Sequence, residues 1–152
     1  MAEQKINIKN KRAGFEFEIL DSFIAGIQLL GTEIKSIREG KVNLSDSFCY
    51  FRKEELWVKN LNIAVYSHGG FYNHEPLRHR KLLLTKKEIS KILSKTKERG
   101  FTIIPLRIFI SDRGFAKIEI ALARGKKSHD KRNTIKSRES KREIDRAMKR
   151  DY

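Results

Sequence analysis

Residues 103–123 read IIPLRIFISDRGFAKIEIALA. Ile118, Ile120 and Leu122 alternate with Lys117, Glu119 and Ala121, the period-two pattern of a strand with one face in a core. Ile103 to Ile110 is a second apolar run, and Ser111-Asp112-Arg113-Gly114 between the two is a turn, so the segment is a β-hairpin. Pro105 removes one ladder donor, which places it at an edge or a bulge.

The same alternation recurs on either side. Phe15, Phe17 and Ile19 alternate with Glu16 and Glu18, predicting a first strand with one face in the core. Leu56, Val58, Leu61 and Ile63 around Trp57 predict a strand paired with Ser47 to Phe51, joined through Arg52-Lys53-Glu54-Glu55, a turn without glycine. Two helices interrupt the strands. Thr85 and Glu88 form a capping box ahead of Ile89, Ile92 and Leu93 on one face, and Gly100 closes that helix at the C-cap position. Thr32 to Arg38 is a shorter helix, with Ile34 and Ile37 three apart between Gly31 and Gly40. Several short strands with two helices predict a mainly β fold, a small antiparallel barrel of the oligonucleotide-binding (OB) type over residues 1–124.

The chain has 152 residues, 39% hydrophobic and 35% charged, with 34 Lys+Arg against 19 Asp+Glu for a net charge of +15. No run approaches the roughly 18 consecutive apolar residues of a membrane span, and the N-terminus lacks the apolar stretch of a signal peptide, so a cytoplasmic location without a membrane partner is expected. The single cysteine, Cys49, is expected as a small buried hydrophobe. It cannot build a cysteine-rich zinc site alone. A cationic excess of this size gains affinity for a polyanion by releasing condensed counterions, so nucleic acid is the leading partner class.

Residues 125–152 hold 11 Lys+Arg and 5 Asp+Glu but only Ile135, Ile144, Met148 and Tyr152 as large apolar side chains. That is too few for a core, so the segment is expected to be a basic tail, disordered when free. It is rich in helix formers and has no proline. Arg138, Arg142, Arg146 and Arg150 recur every fourth position and would form one basic stripe on a helix induced by a polyanion.

Among groups that could carry chemistry, the four histidines show no close zinc-ligand spacing, no serine sits in a GxSxG elbow, and no phosphate-binding glycine loop precedes a Lys-Ser or Lys-Thr pair. Neither an enzyme nor a metal or other cofactor is expected. A metal-dependent ribonuclease, with carboxylates converging from distant positions, is the enzymatic alternative.

Residues 66–81, YSHGGFYNHEPLRHRK, concentrate stacking groups, amides, imidazoles and cations. Tyr and His stack on unpaired bases, and Arg pairs with phosphate in a fork. Arg78, Arg80 and Lys81 stand just ahead of the buried-looking Leu82-Leu83-Leu84, so a rigid backbone is expected to project these cations. A polar connector between strands has a similar composition. Asn10-Lys11-Arg12 is either a basic arm or a frayed terminus. Gly26 either lets RNA approach closely or marks a strand bulge. Lys35 and Arg38 share a helix face and either grip phosphates or are simply solvated. Lys126, Lys127, His129, Asp130, Lys131 and Arg132 join body and tail as either a charged linker or a hinge gripped by RNA.

Taken together, the blocks Asn10 to Ala13, Ala25 to Ile27, GTEIKSIREG from Gly31 to Gly40, Asn43-Leu44, Glu75-Pro76, RHRKLLL from Arg78 to Leu84, and Gly125 to Arg132 resemble the SmpB family of SsrA-binding proteins. The resemblance runs from residue 10 into the tail. It implies an OB-type barrel and a tail that becomes helical in the empty mRNA channel of the ribosome. Proteins similar to this bind the tRNA-like domain of transfer-messenger RNA (tmRNA) at its elbow and D-loop, as a monomer in a 1:1 complex, and replace the missing anticodon stem. The pair enters the empty A site of a stalled ribosome, where the nascent chain is tagged and the ribosome released.

Carried over by position, the family's tmRNA surface falls on Asn10, Lys11, Gly26, Arg78, Arg80, Lys81 and Leu83, with Lys126 near it. His129 and the Asp130-Lys131-Arg132 triplet match the segment that reaches the small-subunit decoding centre, His129 as a stacking group. Many members carry Glu immediately before the Ala-Gly pair, where this chain has Ile24. A general single-strand RNA-binding or ribosomal-protein-like barrel is the alternative within the same fold.

Overall fold

The apolar alternation around Gly114 folds as expected. Strands β8 (Phe101–Ile110) and β9 (Ala116–Gly125) form an antiparallel hairpin. Gly114, at φ 85°, closes its turn by donating its N–H to the Ser111 carbonyl at 2.8 Å. The structure, a computed structural model, describes residues 6–97, 100–126 and 142. Besides the hairpin these form β1 (Asn7–Lys9), α1 (Ala13–Glu16), β2 (Phe17–Ile27), α2 (Gly31–Arg38), β3 (Val42–Asn43), β4 (Phe48–Arg52), β5 (Glu55–Lys59), β6 (Asn62–Ile63), a 3-10 turn (Gly70–Tyr72), β7 (Arg80–Leu83) and α3 (Lys86–Thr96).

The main sheet runs β1-β8-β4-β5-β7-β2-β9, every pairing antiparallel, and an additional β8–β9 pairing closes it. The result is a six-stranded barrel, with β1 laid along β8 outside the ring and β3 paired with β6 in a small second sheet. Closure leaves the ring without an open edge. The expected small antiparallel barrel is therefore present. Pro105 sits at a register shift between Pro105 and Arg107, as a bulge requires. There β8 passes from its bridge to β4 at Ile103 to its pairing with β1 at Arg107, so the missing N–H interrupts neither ladder.

Alternate strand residues fill the barrel. Ala25 and Ile27 of β2, Leu56 and Val58 of β5, Leu82 of β7, and Ile118 and Ile120 of β9 are buried with Cys49. Burial pushes the Cys49 thiol up, which keeps it protonated and inert. Helix α2 adds Ile37 to this core and α3 adds Ile92. Thr85 caps α3 as predicted: its hydroxyl accepts the Glu88 N–H at 3.2 Å, and Glu88 Oε1 accepts the Thr85 N–H at 3.2 Å. The helix stops at Thr96, earlier than Gly100 implied, and Gly100 takes φ 86° at the entry to β8.

The first strand departs further from the sequence pattern. It begins at Phe17, because residues 13–16 make the helical turn α1 and seat Ala13 against Ile104, Ala121 and Ala123 on the outside of the barrel. Phe17 joins that outer cluster, and Ala121, expected to face solvent, is buried beneath it. The register slips again between Ile19 and Asp21, so Ile19 is exposed and the inward-facing part of β2 is its second half. Strand β9 continues to Gly125, one residue past the expected end of the body, and the Lys126 N–H still donates to the Glu16 carbonyl at 3.0 Å. Among the described residues no helix is long and apolar enough to cross a membrane.

The β4–β5 hairpin turns on Lys53 and Glu54 at φ 50° and 63°. Both central residues are left-handed, the geometry of a type I′ turn that favours Asn-Gly. Replacing Lys53→Asn together with Glu54→Gly is expected to raise unfolding free energy by about 1 kcal/mol, relieving the left-handed strain of side chains that gain nothing there. Urea unfolding of the full chain checks this; an unchanged or lowered midpoint would contradict it.

Candidate nucleic-acid interface

Because inward residues on β7 are Arg80 and Leu82, Lys81 and Leu83 point outward. The same parity operates on the neighbouring strands. Tyr50, Trp57 and Lys81 stand in register across β4, β5 and β7, and Leu83, Gly26 and Lys117 across β7, β2 and β9. Phe48 pairs with Lys59 at one side of this face, its ring 6.0 Å from the ammonium. At the other side Arg107 pairs with Glu119 at 2.7 Å and lies 4.2 Å from the Phe109 ring centroid. The outer barrel face thus interleaves aromatic rings, cations and aliphatic side chains, the composition that binds nucleic acid by stacking and charge.

Gly26 lies in a regular part of β2, away from the bulge, and faces Leu83. A Cβ there would meet the Leu83 Cβ at 3.2 Å, so glycine keeps the face low beside an exposed leucine. Ile24, one pleat along, is 47% exposed, as is Leu83. Lys81 is half-buried and donates to Glu55 at 3.2 Å. Tyr50 shares a hydrogen bond of 2.7 Å with His79 Nδ1, their rings edge to face. Tyr50 and Trp57 were not named as site residues from sequence, although the alternation of Cys49 with Tyr50, and of Leu56 and Val58 with Trp57, carried the signal, while His79 belongs to the stretch of stacking and imidazole groups read there.

Arg80 requires a correction. It was expected to project with Arg78 and Lys81, but its side chain is 0% exposed, because it shares inward parity with Leu82. Its Nε donates to Glu33 Oε2, Nη1 to the Leu61 carbonyl at 2.8 Å, and Nη2 to the Pro76 carbonyl at 3.2 Å. Enclosed in this way, the guanidinium does not face a phosphate. Glu33, also 0% exposed, takes the Leu30 N–H at 2.7 Å and Arg78 Nη2 at 2.6 Å. Burial opposes ionisation of Glu33, but Arg78, the Leu30 N–H and Arg80 together outweigh it and hold the carboxyl below its ordinary value of 4.5. Burial likewise lowers the Arg80 pKa against the raising influence of Glu33.

The remaining candidates fall into separate groups. Lys126 Nζ donates to the Gly14 carbonyl at 2.8 Å, which brings it to the segment holding the exposed Lys11. Asn10 is no frayed residue: its N–H donates to the Leu106 carbonyl at 2.7 Å and its side-chain amide to the Pro105 carbonyl at 2.9 Å. Gly125, beside Lys126, pairs with Phe17 at one end of β2, whereas Gly26 lies nine positions along it, about 30 Å of strand at ~3.3 Å per residue. Asn10, Lys11 and Lys126 therefore form one basic group, and Gly26, Lys81 and Leu83 another. Lys35 and Arg38 are exposed on α2, and Arg78 is divided between Glu33 and solvent. Lys127, His129, Asp130, Lys131, Arg132, Arg138 and Arg146 lie outside the described residues; Arg142 is exposed.

The family profile described as "SmpB protein" matches residues 7–150. The chain belongs to the SmpB family. Its similarity extends to the SsrA-binding protein of Bacteroides thetaiotaomicron, 54% identical over 150 residues that cover 99% of this chain and 100% of the relative. The SsrA-binding protein of Cytophaga hutchinsonii is 56% identical over 143 residues, 94% of each chain. A solved chain from the structure named "tmRNA-SmpB: a journey to the center of the bacterial ribosome" superposes with a TM-score of 0.71 at 44% identity, covering 86% of this chain and 94% of that one. The GTEIKSIREG and RHRKLLL blocks that suggested SmpB contribute Glu33 and Arg80, so two of the residues behind the resemblance meet inside the protein.

Removing Glu33 strands the buried Arg80 charge, and removing Arg80 leaves the buried Glu33 carboxylate only Arg78 and one N–H. Glu33→Ala or Arg80→Ala is expected to lower unfolding free energy by about 3–5 kcal/mol. Since the Glu33 pKa is depressed on folding, its contribution is present above about pH 4.5 and is lost as pH falls through the lower folded value. Stability measured from pH 6 downward should therefore drop less steeply in Glu33→Gln than in the native sequence; parallel profiles would rule out this linkage.

Proposed function

We propose that this chain is the non-enzymatic RNA-binding adaptor of trans-translation. It holds the tRNA-like domain of tmRNA (SsrA RNA) and carries it to ribosomes stalled without a stop codon. The observation that carries this reading is the full-length likeness to SsrA-binding proteins, together with a fold shared with a chain solved in a tmRNA-SmpB structure. The interleaved aromatic and cationic outer face supports an RNA ligand independently of the family.

In this reading residues 1–124 are the RNA-binding barrel and residues 125–152 a functionally separate basic tail. The barrel's two groups of contact residues approach the elbow and D-loop of the tRNA-like domain, one protein per RNA, and the body occupies the place of the anticodon stem. Gly26, Lys81 and Leu83 form one contact, and Asn10, Lys11 and Lys126 another. Arg78 contributes its exposed edge, and Lys35 and Arg38 extend the surface over α2. The tail, through Lys127, His129, Asp130, Lys131 and Arg132 and the stripe of Arg138, Arg142 and Arg146, enters the decoding centre and the mRNA channel. The work is done in the cytoplasm by binding and shape alone, and no cofactor is invoked.

Two measurements test the division of labour. Lys81→Ala should weaken binding of the tRNA-like fragment several-fold and reduce the slope of log affinity against log salt by about 1, whereas Leu83→Ala should weaken it without changing the slope. Truncation after residue 126 should leave that affinity nearly intact while abolishing peptide tagging on stalled ribosomes. Equal competition by unrelated RNA of the same length would favour a general RNA-binding barrel, and loss of RNA affinity on truncation would merge the two surfaces.

A further inference from the structure

The most exposed large apolar side chains among the described residues are neighbours. Phe71 is 105% exposed and Tyr72 93% exposed, on the 3-10 turn Gly70–Tyr72. Leaving two adjacent aromatic side chains in water forgoes their burial. Yet the turn is built to hold them there. Asn73 clamps both backbone groups of Tyr66: its Oδ1 accepts the Tyr66 N–H at 3.0 Å, and its Nδ2 donates to the Tyr66 carbonyl at 2.6 Å. The clamp depends on Gly69, since a Cβ there would stand 2.6 Å from the Asn73 amide nitrogen. Beneath it His74 is buried between the Thr32 hydroxyl and the Ile63 carbonyl, 2.8 Å from each. A carbonyl only accepts, so Nε2 donates to Ile63, and with Thr32 on its other nitrogen the imidazole rivets the loop to α2.

The surroundings of the tip select the occupant. Ser67, His68, Gly69, Gly70 and Asn73, which flank the tip in sequence, carry no aliphatic side chain of the kind that forms the core of a protein–protein interface. No Asp or Glu occurs between Glu55 and Glu75. The adjacent groups are cationic or aromatic: Lys35 Nζ lies 5.4 Å from the Tyr66 ring centroid, and His68 meets Tyr66 edge-on at 5.5 Å. Flat rings on a pinned loop, in a stretch without acidic residues between Glu55 and Glu75 and with Lys35 beside Tyr66, match an unpaired base and its phosphate. We infer that Phe71 and Tyr72 form a stacking platform for unpaired bases of an RNA partner, separate from the outer barrel face. This deepens the RNA-binding reading above and rests on it.

The test uses the full chain with Phe71→Ala/Tyr72→Ala and Phe71→Leu/Tyr72→Leu, against an unstructured 12-nucleotide RNA, the same sequence as a duplex, and the tRNA-like fragment. Neither side chain supports the fold, so all forms should share one thermal midpoint. The alanine pair should bind the unstructured RNA about tenfold more weakly, with unchanged duplex affinity and an unchanged salt slope, because stacking is lost while charge is kept. The leucine pair should be as weak. Native affinity in the alanine pair, or its restoration by leucine, would overturn the platform, the latter by showing an apolar contact of the kind a protein makes. Failure of the native chain to bind the tRNA-like fragment would instead remove the proposed adaptor role, an outcome distinguishable from the oligonucleotide result.

Discussion

The buried pair of Glu33 and Arg80 is the interaction on which the rest of the molecule depends. Two charges taken out of water cost several kcal/mol each unless their hydrogen-bonding capacity is met. Here it is met only when four segments are in place at once: α2 supplies the carboxylate, β7 the guanidinium, the residues before β6 the Leu61 carbonyl, and the loop before β7 the Pro76 carbonyl. The Leu30 N–H and Arg78 complete the carboxylate's shell. An alternative packing of the helix or a slip of β7 by one residue would leave a charge unpaired in the core. The pair therefore works chiefly as a register device, penalising other assemblies more than it stabilises this one.

That register reaches the outer surface because a strand alternates. With Arg80 and Leu82 inside, Lys81 and Leu83 must be outside, and the antiparallel neighbours bring Trp57 beside Lys81 and Gly26 beside Leu83. One inward arginine thus decides which cation and which apolar group the outer face presents. It also explains why a motif as basic as RHRKLLL has one cation fully buried, one half-paired with Glu33 and one half-paired with Glu55.

Much of this was legible in the sequence where a pattern had a local cause. The β8–β9 hairpin followed from alternation and a glycine turn, the α3 start from the Thr85–Glu88 box, and an edge or bulge at Pro105 from a missing donor, the structure showing the bulge. Elements set by contacts far apart in the chain were read less well. Phe15 keeps strand-like spacing but lies in a helical turn because Ala13 packs on residues of β8 and β9. Arg80 was assigned to the surface on residue type, although its parity with Leu82 placed it inside. Glu33 offered the matching clue, being four positions before Ile37 and so on the same buried face of α2. Each clue was weak alone. Together, an inward Arg and an inward Glu are the signature of a buried pair that no local rule joins.

A net charge of +15 consequently overstates the grip available to RNA. In the body, Arg80 is enclosed, Lys81, Arg107 and Arg124 are answered by Glu55, Glu119 and Glu18, and Lys91 and Lys95 share Asp21. Phosphates meeting an exposed pair such as Arg124–Glu18 exchange one weak ion pair for another, so such cations add less than their number suggests. Cations that make no ion pair among the described residues occur both away from the interleaved face, as Lys11, Lys35 and Arg38 do, and on it, as Lys59 and Lys117 do. Long-range attraction is thereby spread over unpaired lysines and arginines around the body, while the interleaved face adds aromatic, glycine and leucine positions to the cations it carries.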